Sequence, residues 1–78
     1  VFSAAYTVVQ YQLATTSILQ RRLKMPYAEA MLMLEKLEEL KIIGSYNPKK
    51  PRDVLFKGFE TFYEYWTSLD QEELDIDG

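Results

Sequence analysis

Two clusters of basic side chains are the residues of this sequence best suited to bind a polyanion. The first basic cluster consists of Arg21, Arg22 and Lys24. The second basic cluster consists of Lys49, Lys50 and Arg52. Guanidinium and ammonium groups form charge-assisted hydrogen bonds to phosphate oxygens, and such contacts position a protein on a nucleic acid without reading its sequence. The two clusters therefore predict phosphate contacts with double-stranded DNA, with solvated surface charge as the alternative.

The residue types that commonly perform catalysis are sparse in this chain. It has no His and no Cys, which excludes disulfides and thiolate metal sites and removes the commonest metal ligand and proton shuttle. The sequence contains neither a Gly-rich phosphate loop nor an acidic calcium loop. Glu38 and Glu39 are expected to be solvated charges on a helix. We therefore expect no enzyme, no catalytic residue, no cofactor and no bound metal.

Charge is distributed unevenly along the 78 residues. Residues 1–52 carry eight Lys or Arg and four Glu, whereas residues 53–78 carry one Lys and eight Asp or Glu. A basic body favours nucleic acid, while the acidic tail (residues 70–78) repels it. We expect this tail to be a frayed, solubilising segment. A sharper hypothesis is that it mimics phosphate and competes with DNA for Arg21, Arg22, Lys49 and Lys50.

The chain gives no indication of a membrane location. No apolar run approaches the ~20 residues of a transmembrane helix, and the first residues, Val1 to Ala5, lack the positive start of a signal peptide. We expect a cytoplasmic location without membrane contact. Because the chain does not begin with Met, we expect a fragment of a larger protein.

Apolar spacing predicts two helices in the first part of the chain. Five apolar residues recur there at steps of three and four: Phe2, Ala5, Tyr6, Val9 and Leu13. This stripe predicts an amphipathic helix over residues ~2–13. The Ala-Thr-Thr-Ser run at 14–17 suits a turn or an N-cap better than a helix interior. A short second helix over residues ~17–23 then carries Arg21 and Arg22.

A longer third helix and a hairpin follow. Pro26 is comfortable as the first residue of a helix, and strong helix formers continue to Lys41, which predicts a helix over residues ~26–41. Gly44 marks the break after it. Residues 42–46 and 53–56 are expected to form two short strands around a basic loop with two prolines, giving a wing over residues ~42–56.

Aromatic residues recur at helical spacing near the end of the chain. They are Phe59, Phe62, Tyr63 and Trp66, and they predict an amphipathic helix over residues ~57–69. The whole pattern predicts one domain over residues 1–69. Its fold class is mainly α with a small β-hairpin, a winged helix-turn-helix of three helices plus a wing, with an added C-terminal helix.

Three segments of the chain carry a family resemblance. Residues 17–27 (SILQRRLKMPY), 37–44 (LEELKIIG) and 50–55 (KPRDVL) resemble the runs S-x-LQRR-(F/L)-(R/K)-I-G-Y, E-x-x-G-I-V-G and KPREVL of the gamma domain of FtsK/SpoIIIE DNA translocases. The resemblance covers residues ~4–56 without an evident gap. It implies a winged helix attached to a ring-forming, ATP-driven DNA pump of chromosome segregation. The family's gamma domain reads short polar DNA sequences and contacts the XerD recombinase.

The third helix departs from the family pattern where the family reads bases. The family's run Y-N-R-A-A-R-x-(I/L)-(D/E) corresponds to residues 27–35, which read YAEAMLMLE. The family's Asn and second Arg are therefore replaced by Ala28 and Leu32, and the intervening Arg by Glu29, while the acidic residue remains as Glu35. Asn and Arg read bases through bidentate hydrogen bonds. We therefore expect weak or altered sequence preference on this recognition-helix face.

Two functions remain open. The leading hypothesis is a non-catalytic DNA-binding module that contacts DNA mainly through phosphates. The alternative is a protein interaction or homodimer module that kept the scaffold and lost DNA reading. Its interface candidates are Met31, Leu32, Phe59, Phe62, Tyr63 and Trp66. The plainer interpretation is that Met31 and Leu32 widen the core stripe and that the aromatic helix adds to the core.

Overall fold

The computed structural model describes residues 1–69 and is mainly helical, as predicted. Its elements are α1 (Phe2–Tyr11), α2 (Thr16–Leu23), α3 (Tyr27–Glu39) and α4 (Phe59–Ser68). No helix in this part of the chain is long and apolar enough to cross a membrane. The acidic tail lies outside the described residues.

The turn between α1 and α2 is closed by side-chain hydrogen bonds. Gln12 follows α1 with a left-handed φ of 54°, so the helix ends before the predicted Leu13. The Gln12 side-chain amide donates to the carbonyl oxygens of Val9 and Phe56, both at 2.8 Å. Thr15 caps α2, because its hydroxyl oxygen accepts a hydrogen bond from the Ile18 amide at 3.2 Å.

α3 ends two residues earlier than predicted. Lys41 has a left-handed φ of 67°, and its amide donates to the Glu38 carbonyl while the Ile42 amide donates to the Leu37 carbonyl. This pair of bonds is the Schellman ending of a helix, which usually has Gly at the left-handed position. At the other end, Pro26 has an extended ψ of 158° and therefore precedes α3 instead of being its first residue.

The segment over residues 42–56, which we call the paired segment, contains single antiparallel bridges where strands were predicted. Ile43 is bridged to Val54 and Asn47 to Lys50, and Ala14 pairs with Arg52. The loop between the two predicted strands offers few free amides that could extend the pairing. Two prolines lack an N–H, and the Lys49 amide donates to the Asn47 side-chain oxygen at 2.8 Å. No continuous strand is formed within residues 1–69.

The core joins the first three helices, the paired segment and α4. Its largest fully buried side chains include Leu19, Leu37, Ile42, Ile43 and Phe62. α4 lies against α1 through aromatic contacts, with ring centroids 5.8 Å apart for Phe2 and Phe62 and 4.4 Å apart for Tyr6 and Phe59. The Tyr65 hydroxyl also donates to the Leu40 carbonyl at the end of α3. α4 therefore extends the core and leaves the outward face of α3 open.

Candidate nucleic-acid interface

The first basic cluster lies at the junction of α2 and α3. Arg21 and Arg22 occupy the last turn of α2, and Lys24 follows it with a left-handed φ of 58°. All three side chains are exposed. The Arg22 guanidinium carbon lies 4.7 Å from the centroid of the Tyr11 ring, a cation–π contact that orients the side chain and leaves its charge uncompensated.

Two members of the second basic cluster lie in the turn of the paired segment. Lys49 and Lys50 are exposed, and the Lys50 ammonium is 3.7 Å from a carboxylate oxygen of Asp53. An exposed pair at this distance contributes little stability. Within residues 1–69, the ion pairs are this one and the pair of Arg52 with Glu38. Arg21, Arg22, Lys24 and Lys49 thus pair with no acid in the part of the chain that is described.

Arg52 differs from the other predicted phosphate ligands because its guanidinium is engaged inside the domain. Its side chain is 13% exposed, and one terminal nitrogen donates to Glu38 Oε1 at 2.6 Å and to the Gly44 carbonyl at 3.0 Å. This hydrogen bond from Arg52 holds the pKa of Glu38 below its usual value. The prediction that Glu38 is merely a solvated charge is wrong, since it anchors the paired segment to α3.

The recognition-helix face is open to solvent. Ala28, Glu29, Leu32 and Glu35 are all exposed, and Leu32 retains 66% of its accessible surface. Met31 beside them is also exposed. Neither Met31 nor Leu32 therefore widens the core, and this helix presents apolar and acidic groups outward.

A groove runs between α3 and the paired segment; we call it the α3 groove. Its volume is about 520 Å³. Tyr27, Met31 and Glu35 line the α3 side, while Tyr46 and Lys50 are among the residues of the opposite side. Sequence reasoning missed Tyr27 and Tyr46 because an aromatic residue in a loop or a first helical turn carries no periodic signal of exposure.

The aromatic interface candidates on α4 divide into buried and exposed residues. Phe62 is 0% exposed, so it is a core residue and cannot contact a partner. Trp66 is half-buried and packs against the core. Phe59 and Tyr63 remain exposed, and they lie beside Glu60 and Glu64.

The site combines exposed cations with the α3 groove, and the carboxylates of the described residues are not clustered. Within the described residues, no group of three or more His, Cys, Asp or Glu side chains is placed to hold a metal ion. The exposed cations can bind anions, and the α3 groove can bind apolar groups.

The fold and the site define the class of protein. It is a small, mainly helical module with cations on both sides of a helix whose outward face is exposed to solvent. The chain belongs to the Ftsk gamma domain family, whose model matches residues 2–57. The resemblance expected from the three sequence segments is thereby confirmed. α4 lies beyond the matched region.

Curated relatives agree with this family. The chain is 36% identical over 67 residues to the DNA translocase FtsK of Chlorobaculum tepidum, covering 86% of this chain and 8% of the relative. It is 44% identical over 55 residues to FtsK of Treponema pallidum, covering 69% and 7%. The DNA translocase SpoIIIE of Bacillus subtilis is 38% identical over 52 residues, with 67% and 7% covered. The chain thus spans less than a tenth of the length of these relatives.

Proposed function

We propose that this chain is a winged-helix DNA-binding module of an FtsK-type DNA translocase and that it contacts DNA mainly through phosphates. The observation that carries the proposal is the position of the exposed cations. Lys24 lies three residues before Tyr27, and Lys50 lines the same groove as Tyr27 and Met31. The two basic clusters therefore border the first half of α3, where a DNA backbone would pass on either side of an inserted helix.

The winged-helix assignment is supported by element order and by the antiparallel pairing of the paired segment. In such folds the third helix faces the major groove and the wing contacts the flanking backbone. Here Ile43 is bridged to Val54, and the Gly44 amide donates to the Asp53 carbonyl at 2.8 Å. Arg52 is assigned a positioning role, because its contacts to Glu38 and Gly44 fix the loop that carries Lys49 and Lys50.

The proposed module reads sequence weakly. Ala28 and Leu32 offer no hydrogen-bond donor to a base edge and can touch at most a thymine methyl group. Glu29 and Glu35 are exposed on the same helix and repel phosphate. Binding energy then comes from charge neutralisation at phosphates, which depends steeply on salt.

Translocation is not assigned to these residues. Pumping DNA requires an ATPase, and the sequence contains no Gly-rich nucleotide loop. In our proposal the module acts in the cytoplasm as part of a longer translocase.

A salt titration tests the DNA proposal. A fluorescent duplex titrated with the chain at ~50 mM and ~200 mM salt should show weak binding that declines steeply with salt. If the four exposed cations without an acidic partner in residues 1–69 (Arg21, Arg22, Lys24 and Lys49) each contact one phosphate, the affinity should fall by about two orders of magnitude over this range. Absence of duplex binding at the lower salt concentration would refute the proposal.

A protein interaction module is the second candidate, and the exposure of Leu32 and Met31 favours it. Contiguous apolar surface on a small domain commonly marks an interaction site. The wild-type chain should then elute from a size-exclusion column ahead of the Leu32→Glu variant at equal concentration. Identical elution volumes at every concentration would remove self-association through this face.

A further inference from the structure

Two exposed tyrosines line the α3 groove from different elements. Tyr27 lies in the first turn of α3 and is 58% exposed, while Tyr46 lies in the paired segment and is 70% exposed. The aromatic pairs of residues 1–69 join α1, α4 and Phe56, and neither of these two rings takes part in one. Both tyrosines therefore present aromatic surface to a ligand that enters the groove.

Arg52 fixes where Tyr46 lies along α3. The Arg52 guanidinium carbon is 5.9 Å from the centroid of the Tyr46 ring, and the same guanidinium is hydrogen-bonded to Glu38 in the last turn of α3. Tyr46 is therefore level with the later half of the helix, where Glu35 also lines the groove. Tyr27 is about 12 Å from Glu35 along the helix axis. The two tyrosines thus lie towards different ends of the groove.

Each tyrosine has an exposed cation near it. Lys24 is three residues before Tyr27, and Lys49 and Lys50 follow Tyr46 in the turn of the paired segment. Lys50 itself lines the groove. Proteins that bind single-stranded nucleic acid combine cations along the backbone path with aromatic side chains on which successive bases stack. The alternation of cations and tyrosines along this groove matches that pattern.

Glu35 distinguishes a nucleotide from other anionic ligands. Its carboxylate is exposed on the α3 side, and Lys50 lies on the opposite side. An acidic peptide or a free phosphate would be repelled by this carboxylate, whereas the amino group of a cytosine can donate a hydrogen bond to it. The groove therefore fits a ligand that has a planar apolar body, a donor on its edge and a phosphate at its other end.

We propose that the α3 groove binds unpaired bases of single-stranded DNA, stacked on Tyr46 and Tyr27, with the adjoining phosphates at Lys24, Lys49 and Lys50. Its volume of about 520 Å³ falls in the range of sites that hold small ligands. In a duplex the bases stack on one another, so their faces cannot contact the tyrosines. The inference thus goes beyond the duplex binding of the proposed function and rests on it only for the phosphate contacts.

Two single strands of equal charge test the stacking. The full chain is titrated with a fluorescent strand of ~12 deoxycytidines, which lies within the usual site sizes, and with an abasic strand of the same length. Both strands carry the same phosphates, so charge alone would give them equal affinity. We expect the abasic strand to bind at least about tenfold more weakly, because stacking on both tyrosines is lost. Equal affinities would overturn the proposal.

Tyrosine variants assign the difference to the groove. Tyr46→Ala and Tyr27→Ala should each weaken binding of the deoxycytidine strand at least about fivefold and leave binding of the abasic strand unchanged. Tyr63→Ala is the matched control, since Tyr63 is also 58% exposed but lies on α4 beside Glu60 and Glu64. It should change neither affinity. Equal weakening of both strands by Tyr46→Ala would contradict stacking.

Methionine methyl NMR locates the base in the unmodified chain, so it does not depend on the folding of a variant. The full chain has three methionines: Met31 lines the groove, while Met25 and Met33 pack against the core. The ring current of a bound base should shift the Met31 methyl resonance and leave the other two in place, and the abasic strand should shift none. An unchanged Met31 resonance at saturating deoxycytidine strand would overturn the proposal.

A duplex of the same length separates this proposal from the DNA proposal. If the chain binds the deoxycytidine strand more tightly than the abasic strand and binds no duplex at ~50 mM salt, the base site is upheld and the DNA proposal is refuted. If it binds the duplex but does not distinguish the two single strands, the DNA proposal is upheld and the base site is refuted.

Discussion

The Arg52 guanidinium lies 2.6 Å from Glu38 Oε1 and ties the paired segment to the last turn of α3. The same arginine nitrogen donates to the Gly44 carbonyl, and the Ser45 hydroxyl donates to the second oxygen of Glu38 at 3.3 Å. Because the segment has isolated bridges and no continuous ladder within residues 1–69, this ion pair is a principal link between the basic loop and the helical body.

Stability should depend on acid through Glu38. Its pKa is lowered from an ordinary value of 4.5, first by the hydrogen bond from Arg52. A lowered carboxylate pKa contributes stability that is present above the unfolded value and is lost as the pH falls through the folded one. Glu38→Gln should therefore lower the urea midpoint at pH ~7, and the gap to wild type should close as the pH falls below 4.5.

The neighbouring acid provides the control for this prediction. Glu39 is exposed and makes no ion pair within the described residues, so Glu39→Gln should leave the midpoint close to wild type at both pH values. A gap between Glu38→Gln and wild type that stays constant with pH would contradict the assignment of the stabilisation to the charged carboxylate.

α4 should be required for the stability of the domain even though it lies beyond the family match. Phe62 is fully buried among Phe2, Phe56 and Trp66. Truncating a buried Phe removes apolar contact and leaves a cavity, at a cost of about 3–5 kcal/mol. Phe62→Ala should therefore be largely unfolded or melt far below wild type, as followed by circular dichroism at 222 nm.

Tyr63, next to Phe62 on α4, distinguishes the loss of core packing from a general effect of an alanine substitution on this helix. Tyr63 is 58% exposed, and Tyr63→Ala should change the free energy of unfolding by no more than about 0.5 kcal/mol. Equal destabilisation by the two alanine variants would mean that α4 is held by something other than the Phe62 core contact.

Periodicity anticipated the helical body because each helix buries one stripe. The recurrence of apolar residues every three or four positions in α1 and α3 is a local property of the chain. It corresponds to buried residues such as Val9 and Leu37. The end of α3 lies two residues before the predicted end for a physical reason. Lys41 is a good helix former by composition, but the Schellman bonds place it at a left-handed position that local propensity does not reveal.

Periodicity does not predict contacts between residues that are distant in the sequence. Arg52 and Glu38 are 14 residues apart, and nothing in a pattern of charges distinguishes a cation paired within the domain from one free to bind phosphate. The α3 groove depends in the same way on Tyr46 and Tyr27 meeting from separate elements. Sequence identified the cations, and folding decided which of them remain free.

The backbone of Lys41 should carry a removable strain. A left-handed conformation costs a residue with a Cβ roughly 1 kcal/mol or more, and Gly avoids this cost. Lys41→Gly should therefore raise the free energy of unfolding by about 0.5–1 kcal/mol, measured by urea titration. Lys41→Ala removes the same charge and keeps the Cβ, so it should give no such gain. Stabilisation by both variants would instead indicate unfavourable charge at this position.

The exposed cations should contribute to DNA binding individually and not through net charge alone. Lys49 is exposed and has no acidic partner within residues 1–69, and it lies in the turn beside the α3 groove. Lys49→Gln should weaken duplex binding and reduce the slope of log K against log salt by about 0.9, the value for one lost phosphate contact. Lys57→Gln is the matched control, since Lys57 is also exposed but lies just before α4. It should leave the slope unchanged. Equal slopes for the two variants would mean that binding follows overall charge and that the loop makes no defined phosphate contact.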